Sequence, residues 1–345
     1  MFKHFLLIVA LLTFLIPAVS HAAEPKSDDS KVSGIDKTLF SPDITPGENF
    51  YWYANQEWLD KTDIPGDKSN YGIFTVLDDK TRSEVRALIE EAAASKAEPG
   101  TAAQKVGDLY KSVLDIKARN DAGIKPIQPL LRRINKVKSV EDLAKTLGFL
   151  MKSGVYGPLA PYINADARNS DQYTVYVTQS GLTMPDRDYY LEDDERYTKL
   201  RAELLAYVAD MLAATGAKKP VPAAKAIYEL ERTLAEKQWT KTENRDPEKT
   251  YNKKTSEEMQ VLLGDFPWAT FAKASGLTKQ KEFVVRQPSY LEQLGKLLTE
   301  VDLNTWKNYL RLQVIDGYSS SLTEELELRH FQFHSTAISG VTEQE

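Results

Sequence analysis

The sequence predicts a mainly α-helical protein with one minor β-hairpin element. Apolar residues recur at three- and four-residue spacing through most of the chain, and the period shifts to two in a single stretch between Val155 and Gln179. A composition of 42% hydrophobic and 27% charged residues over 345 positions gives ample material for a core. The N-terminus stands apart from this pattern. Phe5 to Ile16 is almost wholly apolar, Pro17 breaks the run, and Ser20-His21-Ala22 offers small residues for cleavage. Residues 1–22 are read as a secretory signal, with an uncleaved membrane anchor as the alternative. Residues 23–43 are read as a disordered tether and residues 44–345 as the folded domain.

The helices follow in order. Leu77, Val85, Leu88 and Ala92 share one face, and Ala102, Val106, Leu109, Tyr110, Val113 and Leu114 share another. Ser139 and Asp142 have capping-box spacing ahead of Leu143, Leu147, Leu150 and Met151. Tyr173, Val175 and Val177 alternate with Thr174, Tyr176 and Thr178, after a polar loop from Asn164 to Asp171. Tyr197, Leu200, Leu204, Val208, Met211 and Leu212 form a long helix, as do Ile227, Leu230 and Leu234. Thr255 and Glu258 cap the helix carrying Met259, Leu262 and Leu263, and Trp306 to Tyr318 closes the series. The aromatic cluster Phe50, Tyr51, Trp52, Tyr53 and Trp58 is expected to pack in the core.

Composition excludes several functions. The formal net charge is -6 without a basic stripe, so nucleic acid is not an expected partner. The chain has no cysteine, which removes disulfides, thiolate catalysis and cysteine zinc sites. An exported chain of this kind suits a periplasmic or extracellular setting, with membrane contact only through the signal segment.

Only two of the four histidines, His330 and His334, lie beyond the signal. Their i, i+4 spacing puts both imidazoles on one helix face. The peptidase signature His-Glu-x-x-His also supplies a glutamate base beside its first ligand, whereas His330 is followed by Phe331. These histidines are therefore read as structural, and no metal site and no catalytic residue is expected in this chain. Asp186 and Asp188 stand in an unusual stretch, Gly181 to Leu191, and are read as a structural pair. Gly181 and Pro185 would set a turn there. Arg187 would pair with Asp186, Asp188 or a backbone carbonyl, and Tyr189 and Tyr190 would anchor the hairpin to the helix after it.

Four islands in order carry a resemblance: Pro46 to Leu59 with Ile64-Pro65 and Tyr71-Gly72-Ile73-Phe74; Gly181 to Leu191; Asn244 to Lys253; and Phe331-Gln332-Phe333 with Ile338-Ser339-Gly340. In these the chain resembles the N-terminal half of the neprilysin and endothelin-converting-enzyme family of zinc metallopeptidases, in its bacterial, oligopeptidase O form. The resemblance implies a two-lobed zinc metalloendopeptidase that hydrolyses oligopeptides. This chain would be its helical, substrate-enclosing cap lobe, with the catalytic lobe largely missing. Zinc would belong to the intact enzyme, and the missing C-terminal lobe would be the chain's partner. Alone, the chain would be inactive and would expose the apolar surface that meets that lobe. The alternative is a non-catalytic helical peptide- or partner-binding module from a split or truncated gene. No residue is assigned to substrate binding; Asn70 occupies the position where some members carry an Arg for the substrate's C-terminal carboxylate. His334 occupies a position that is aromatic in the family.

Overall fold

The computed structural model describes residues 34–344, which divide into two compact units after Asp63. The expected signal and the first part of the tether lie outside the described residues. Among the described residues no helix is long and apolar enough to cross a membrane.

In the first unit, a 3-10 turn at Lys37–Leu39 is capped by Asp36, whose carboxylate accepts from the Thr38 amide at 2.9 Å and hydroxyl at 2.6 Å. This turn falls inside the residues expected as tether. Helix α1, Phe50–Lys61, starts at Asn49, whose side chain accepts from the Trp52 amide at 3.2 Å. The aromatic cluster does not form a core here. Phe50, Tyr51 and Trp52 are 70%, 61% and 41% exposed, because one helix and a turn cannot enclose large rings.

The second unit begins with a helical hairpin, α2 (Ile73–Ala94) and α3 (Ala102–Leu114). A Cβ at Gly107 would sit 2.8 Å from the Ala92 carbonyl oxygen, so the two helices approach closely at that point. Then come α4 (Ile116–Ala122), α5 (Gln128–Asn135), α6 (Val140–Lys152), β1 (Leu159–Asp166), β2 (Asn169–Gln179), α7 (Asp188–Leu191), α8 (Glu195–Ala214) and α9 (Pro220–Lys237). The chain finishes with β3 (Asn252–Thr255), α10 (Ser256–Leu262), α11 (Trp268–Ser275), β4 (Glu282–Val285), α12 (Pro288–Glu300), α13 (Leu303–Tyr318) and α14 (Glu324–Phe331). A π-helical turn, Gln332–Ala337, extends α14. Local chemistry explains many of these boundaries. Ser139 caps α6, Thr255 and Glu258 complete a reciprocal capping box on α10, and prolines open α9 and α12.

The expected hairpin is half of a four-stranded sheet in the order β1-β2-β4-β3. β1 and β2 are antiparallel, β2 runs parallel to β4 with Val175 opposite Phe283, and β3 returns antiparallel to β4. The polar segment from Asn164 to Asp171 is mostly strand rather than loop, since Asn164 pairs with Thr174 and Ala165 with Tyr173. Thr174 to Val177 are all buried, so the centre of β2 is covered on both faces. Around the sheet, Trp268, Trp306, Tyr207, Tyr290 and Tyr309 fill a single hydrophobic core built mainly from α5 to α14.

Candidate functional site

The stretch from Gly181 to Leu191 is built around a residue that its own sequence does not contain. Glu231 of α9 is fully buried and accepts from the Thr183 hydroxyl at 2.6 Å, the Thr183 amide at 3.2 Å and the Tyr190 hydroxyl at 2.5 Å. The Tyr190 hydroxyl in turn accepts from the Met184 amide at 3.0 Å. Burial pushes the Glu231 carboxyl up to about 7, against the three donors that favour its charged form. Burial, and then the charge of Glu231, hold the Tyr190 phenol well above its ordinary value. The neighbouring charges face outward. Asp186 and Asp188 share Lys241, at 2.6 and 3.7 Å, and Arg187 donates to the Ala235 carbonyl at 3.1 Å. Tyr189 packs on Tyr197 of α8, with ring centroids 4.8 Å apart. Gly181 has φ +90°, a conformation that favours glycine, and its carbonyl accepts from Tyr309 at 2.9 Å. This arrangement fixes the β2–α8 connection to α9 and α13; it presents no catalytic pair of carboxylates.

The island from Asn244 to Lys253 is held in a related way. Asp166, at the tip of the β1–β2 hairpin, accepts from the Tyr251 hydroxyl at 2.7 Å and the Arg168 amide at 2.9 Å, and pairs with Lys253 at 3.2 Å. The Tyr251 bond, then the Arg168 amide and Lys253, hold its carboxyl well below the usual range. Gln287 ties the other end. It accepts from the Gln179 amide at 2.9 Å and donates to Asn244 at 2.7 Å. A carboxyl depressed in the folded state contributes stability above its ordinary pKa and loses it as pH falls. Asp166→Asn is therefore expected to lower the unfolding temperature at pH 7, with the gap to wild type beginning to narrow as pH falls below the ordinary aspartate value of 3.8. Thermal unfolding at pH 7 and below pH 3.8 checks this, and a gap of constant size counts against it.

The remaining sequence candidates separate. His330 and His334 do lie together, and the fold adds a third group, Asp316 of α13. Asn70 is exposed, with Ser69 as a neighbour at 3.4 Å. Near it, the Gly66 carbonyl accepts from the Thr342 and Glu343 amides at 3.0 and 3.2 Å, joining the start of this unit to its end. Glu231, Gln287 and Asp316 were not identified from the sequence, because each acts on a partner that is distant in the chain. The only local signal was for Glu231, a lone charge among the apolar positions Ile227, Leu230 and Leu234.

A comparison with known proteins gives the arrangement a family. The solved zinc metalloprotease Zmp1 of Mycobacterium tuberculosis, in complex with an inhibitor, superposes with a TM-score of 0.84 at 32% identity, covering 91% of this chain and 48% of that one. The structure of PepO from Lactobacillus rhamnosis, at 19% identity and a TM-score of 0.68, shares the fold. Endothelin-converting enzyme 1 of Rattus norvegicus is 26% identical over 298 residues, which are 83% of this chain and 39% of that protein. Endothelin-converting enzyme-like 1 of Mus musculus is 27% identical over 299 residues. The chain thus spans less than half the length of these relatives. The N-terminal model of Peptidase family M13 matches residues 46–345. With that match over most of its length, the chain belongs to peptidase family M13 and carries that family's N-terminal region.

Proposed function

We propose that this chain is the N-terminal, substrate-enclosing region of an exported zinc metalloendopeptidase that hydrolyses oligopeptides, and that it is inactive without a C-terminal catalytic lobe. The observation that carries this reading is the α2–α3 hairpin. Phe74, Leu77 and Leu88 of α2 are 86%, 52% and 65% exposed, and Leu109, Val113 and Leu114 of α3 are 66%, 53% and 57% exposed. These are the apolar positions that the helical periodicity assigns to buried faces. Of all the residues in the two helices, only Gly107 is buried. So many exposed apolar side chains on a well-formed hairpin call for a protein partner. The C-terminal lobe is the partner favoured here, since the chain spans only 38–39% of the two endothelin-converting-enzyme relatives named above.

The chain's own residues do not fit the catalytic zinc of such an enzyme. His330 is followed by Phe331 rather than Glu, so the pair brings no adjacent general base, and no His-Glu-x-x-His occurs in the 345 residues. In this reading the zinc, all its protein ligands and the base come from the C-terminal lobe, while this region closes over the peptide. Asn70 offers a neutral amide where a bidentate ionic contact would require Arg, so the reading includes no preference for a free substrate carboxylate.

The test is cleavage of an oligopeptide by the purified chain, alone and together with a family C-terminal lobe. The expected result is no turnover alone, chelator-sensitive turnover when combined, and loss of apolar-dye fluorescence as the α2–α3 face is covered. Chelator-sensitive turnover by the chain alone would overturn the proposal. Tight peptide binding by the chain alone, with no gain from the added lobe, would favour a binding module instead.

A further inference from the structure

We propose that Asp316, His330 and His334 form a non-catalytic binding site for one divalent transition-metal ion, zinc above all. The three come from separate segments: Asp316 from the last turn of α13, His330 from α14, and His334 from the π-helical turn. The Nε2 atom of His334 lies 3.0 Å from Oδ1 of Asp316, and Nε2 of His330 lies 3.9 Å from the same oxygen. One potential ligand atom from each residue falls within 4.8 Å of the others. Ligand atoms at about 2.0–2.1 Å from a tetrahedral zinc are roughly 3.3 Å apart. Side-chain shifts on the order of 1 Å would therefore close the set around an ion.

Hydrogen bonding alone does not explain the arrangement. His334 bonds to Asp316, but His330 at 3.9 Å is beyond hydrogen-bond range of the oxygen it approaches. The two imidazoles instead stack at 4.3 Å between centroids, tilted by 33°. An ion would take a lone pair from each ring.

The surroundings resemble the supporting shell of a metal site. The Tyr207 hydroxyl donates to Oδ1 of Asp316, the oxygen that both histidines approach, and the Tyr207 ring stacks on Phe333 at 4.6 Å, so the carboxylate is held in place. Arg329 lies over the Tyr207 ring and is paired with Asp210 at 2.8 Å, which limits its repulsion of an incoming ion. All three candidate ligands keep some exposure, with side chains 22–34% accessible, so an ion can reach them from solvent. The π-helical turn that carries His334 is a rare element that is found frequently at functional sites. Nitrogen and carboxylate donors select zinc, cobalt or nickel over calcium or magnesium. Three protein ligands leave a fourth position for water, and the ion's role here is to clamp α13 to α14. The site is independent of the catalytic lobe.

The experiment uses the full chain without a histidine tag, stripped with chelator and titrated with Zn2+ by calorimetry and with Co2+ by visible absorption. The expected result is one equivalent of Zn2+, a tetrahedral Co2+ spectrum and a higher unfolding temperature with zinc. His330→Ala and His334→Phe should each weaken binding by about 100-fold or more, with an unchanged far-ultraviolet dichroism spectrum. Tyr207→Phe should weaken it about 10–100-fold. If either histidine variant misfolds, Asp316→Asn, which keeps the side-chain shape, replaces it. Absence of saturable binding in the wild type, or equal affinity in the variants, overturns the proposal.

Discussion

Gly181→Ala is expected to destabilise the chain by about 3 kcal/mol, more than alanine at any other glycine that has positive φ. Two costs add at this position. A non-glycine residue in the left-handed region costs about 1–2 kcal/mol. The new Cβ would also fall into the Tyr309 hydroxyl and 2.6 Å from Pro158 Cα, and overpacking of this kind costs about 1–3 kcal/mol. Neither neighbour can move freely. Tyr309 is buried and bonded to the Gly181 carbonyl, and Tyr290 donates to the Pro158 carbonyl at 2.7 Å. Gly216 is the internal control. Its φ is +82°, but nothing lies within 4 Å of a Cβ there, so Gly216→Ala should cost only the conformational term, about 1–2 kcal/mol. Denaturant unfolding of the two variants separates the terms, and equal losses would refute the packing argument.

The second large effect belongs to Glu231. Glu231→Leu strips the acceptor from two hydroxyls and an amide in a sealed site and is expected to cost about 3–5 kcal/mol. The charge itself has an opposite and pH-dependent consequence. Because the folded carboxyl is pushed up to about 7 from an ordinary value of 4.5, the folded state binds the proton more tightly than the unfolded state does. The resulting stabilisation is fully present below pH 4.5 and is lost as pH rises through 7. It amounts to as much as about 3 kcal/mol. Asp166 has the reverse sign, since its depressed carboxyl favours the folded state above its ordinary range. Glu231→Gln should therefore narrow the stability difference between pH 5 and pH 8, and parallel pH profiles for wild type and variant would show that Glu231 does not titrate in this interval.

The helical part of the fold was readable because it is written locally. Ser139 does cap α6, Thr255 and Glu258 do form their box, and the periodic faces from Tyr197 to Leu212 and from Trp306 to Tyr318 are buried as their spacing requires. The sheet was half legible. Tyr173 to Val177 alternates clearly, but β3 and β4 have four residues each, too few for a period to declare itself. Phe50 to Trp52 mark the limit of reading burial from residue type, since a ring is buried only where the described chain supplies a second surface. Within Gly181 to Leu191, Gly181, Arg187 and Tyr189 behave structurally as their chemistry suggested, whereas Tyr190 anchors to Glu231 of α9 rather than to the next helix, α8. Glu231 could not be identified because its partners lie more than 40 residues earlier. Asp316 stands on the helix before the histidines, 18 residues ahead of His334, so no helical spacing links it to the pair.

The parallel pairing of β2 with β4 has a kinetic consequence. Val175 and Phe283 are more than a hundred residues apart, and the chain between them contains α7 to α11. The β1–β2 hairpin can form as soon as residue 179 is available, but its inner edge must wait for the chain to reach Val285. Closing so long a loop adds little to the equilibrium cost, yet sequence-distant contacts slow folding. Until β4 arrives, the buried centre of β2, Thr174 to Val177, presents an open strand edge to any other chain. Aggregation during refolding should therefore be set by how long that edge stays unpaired.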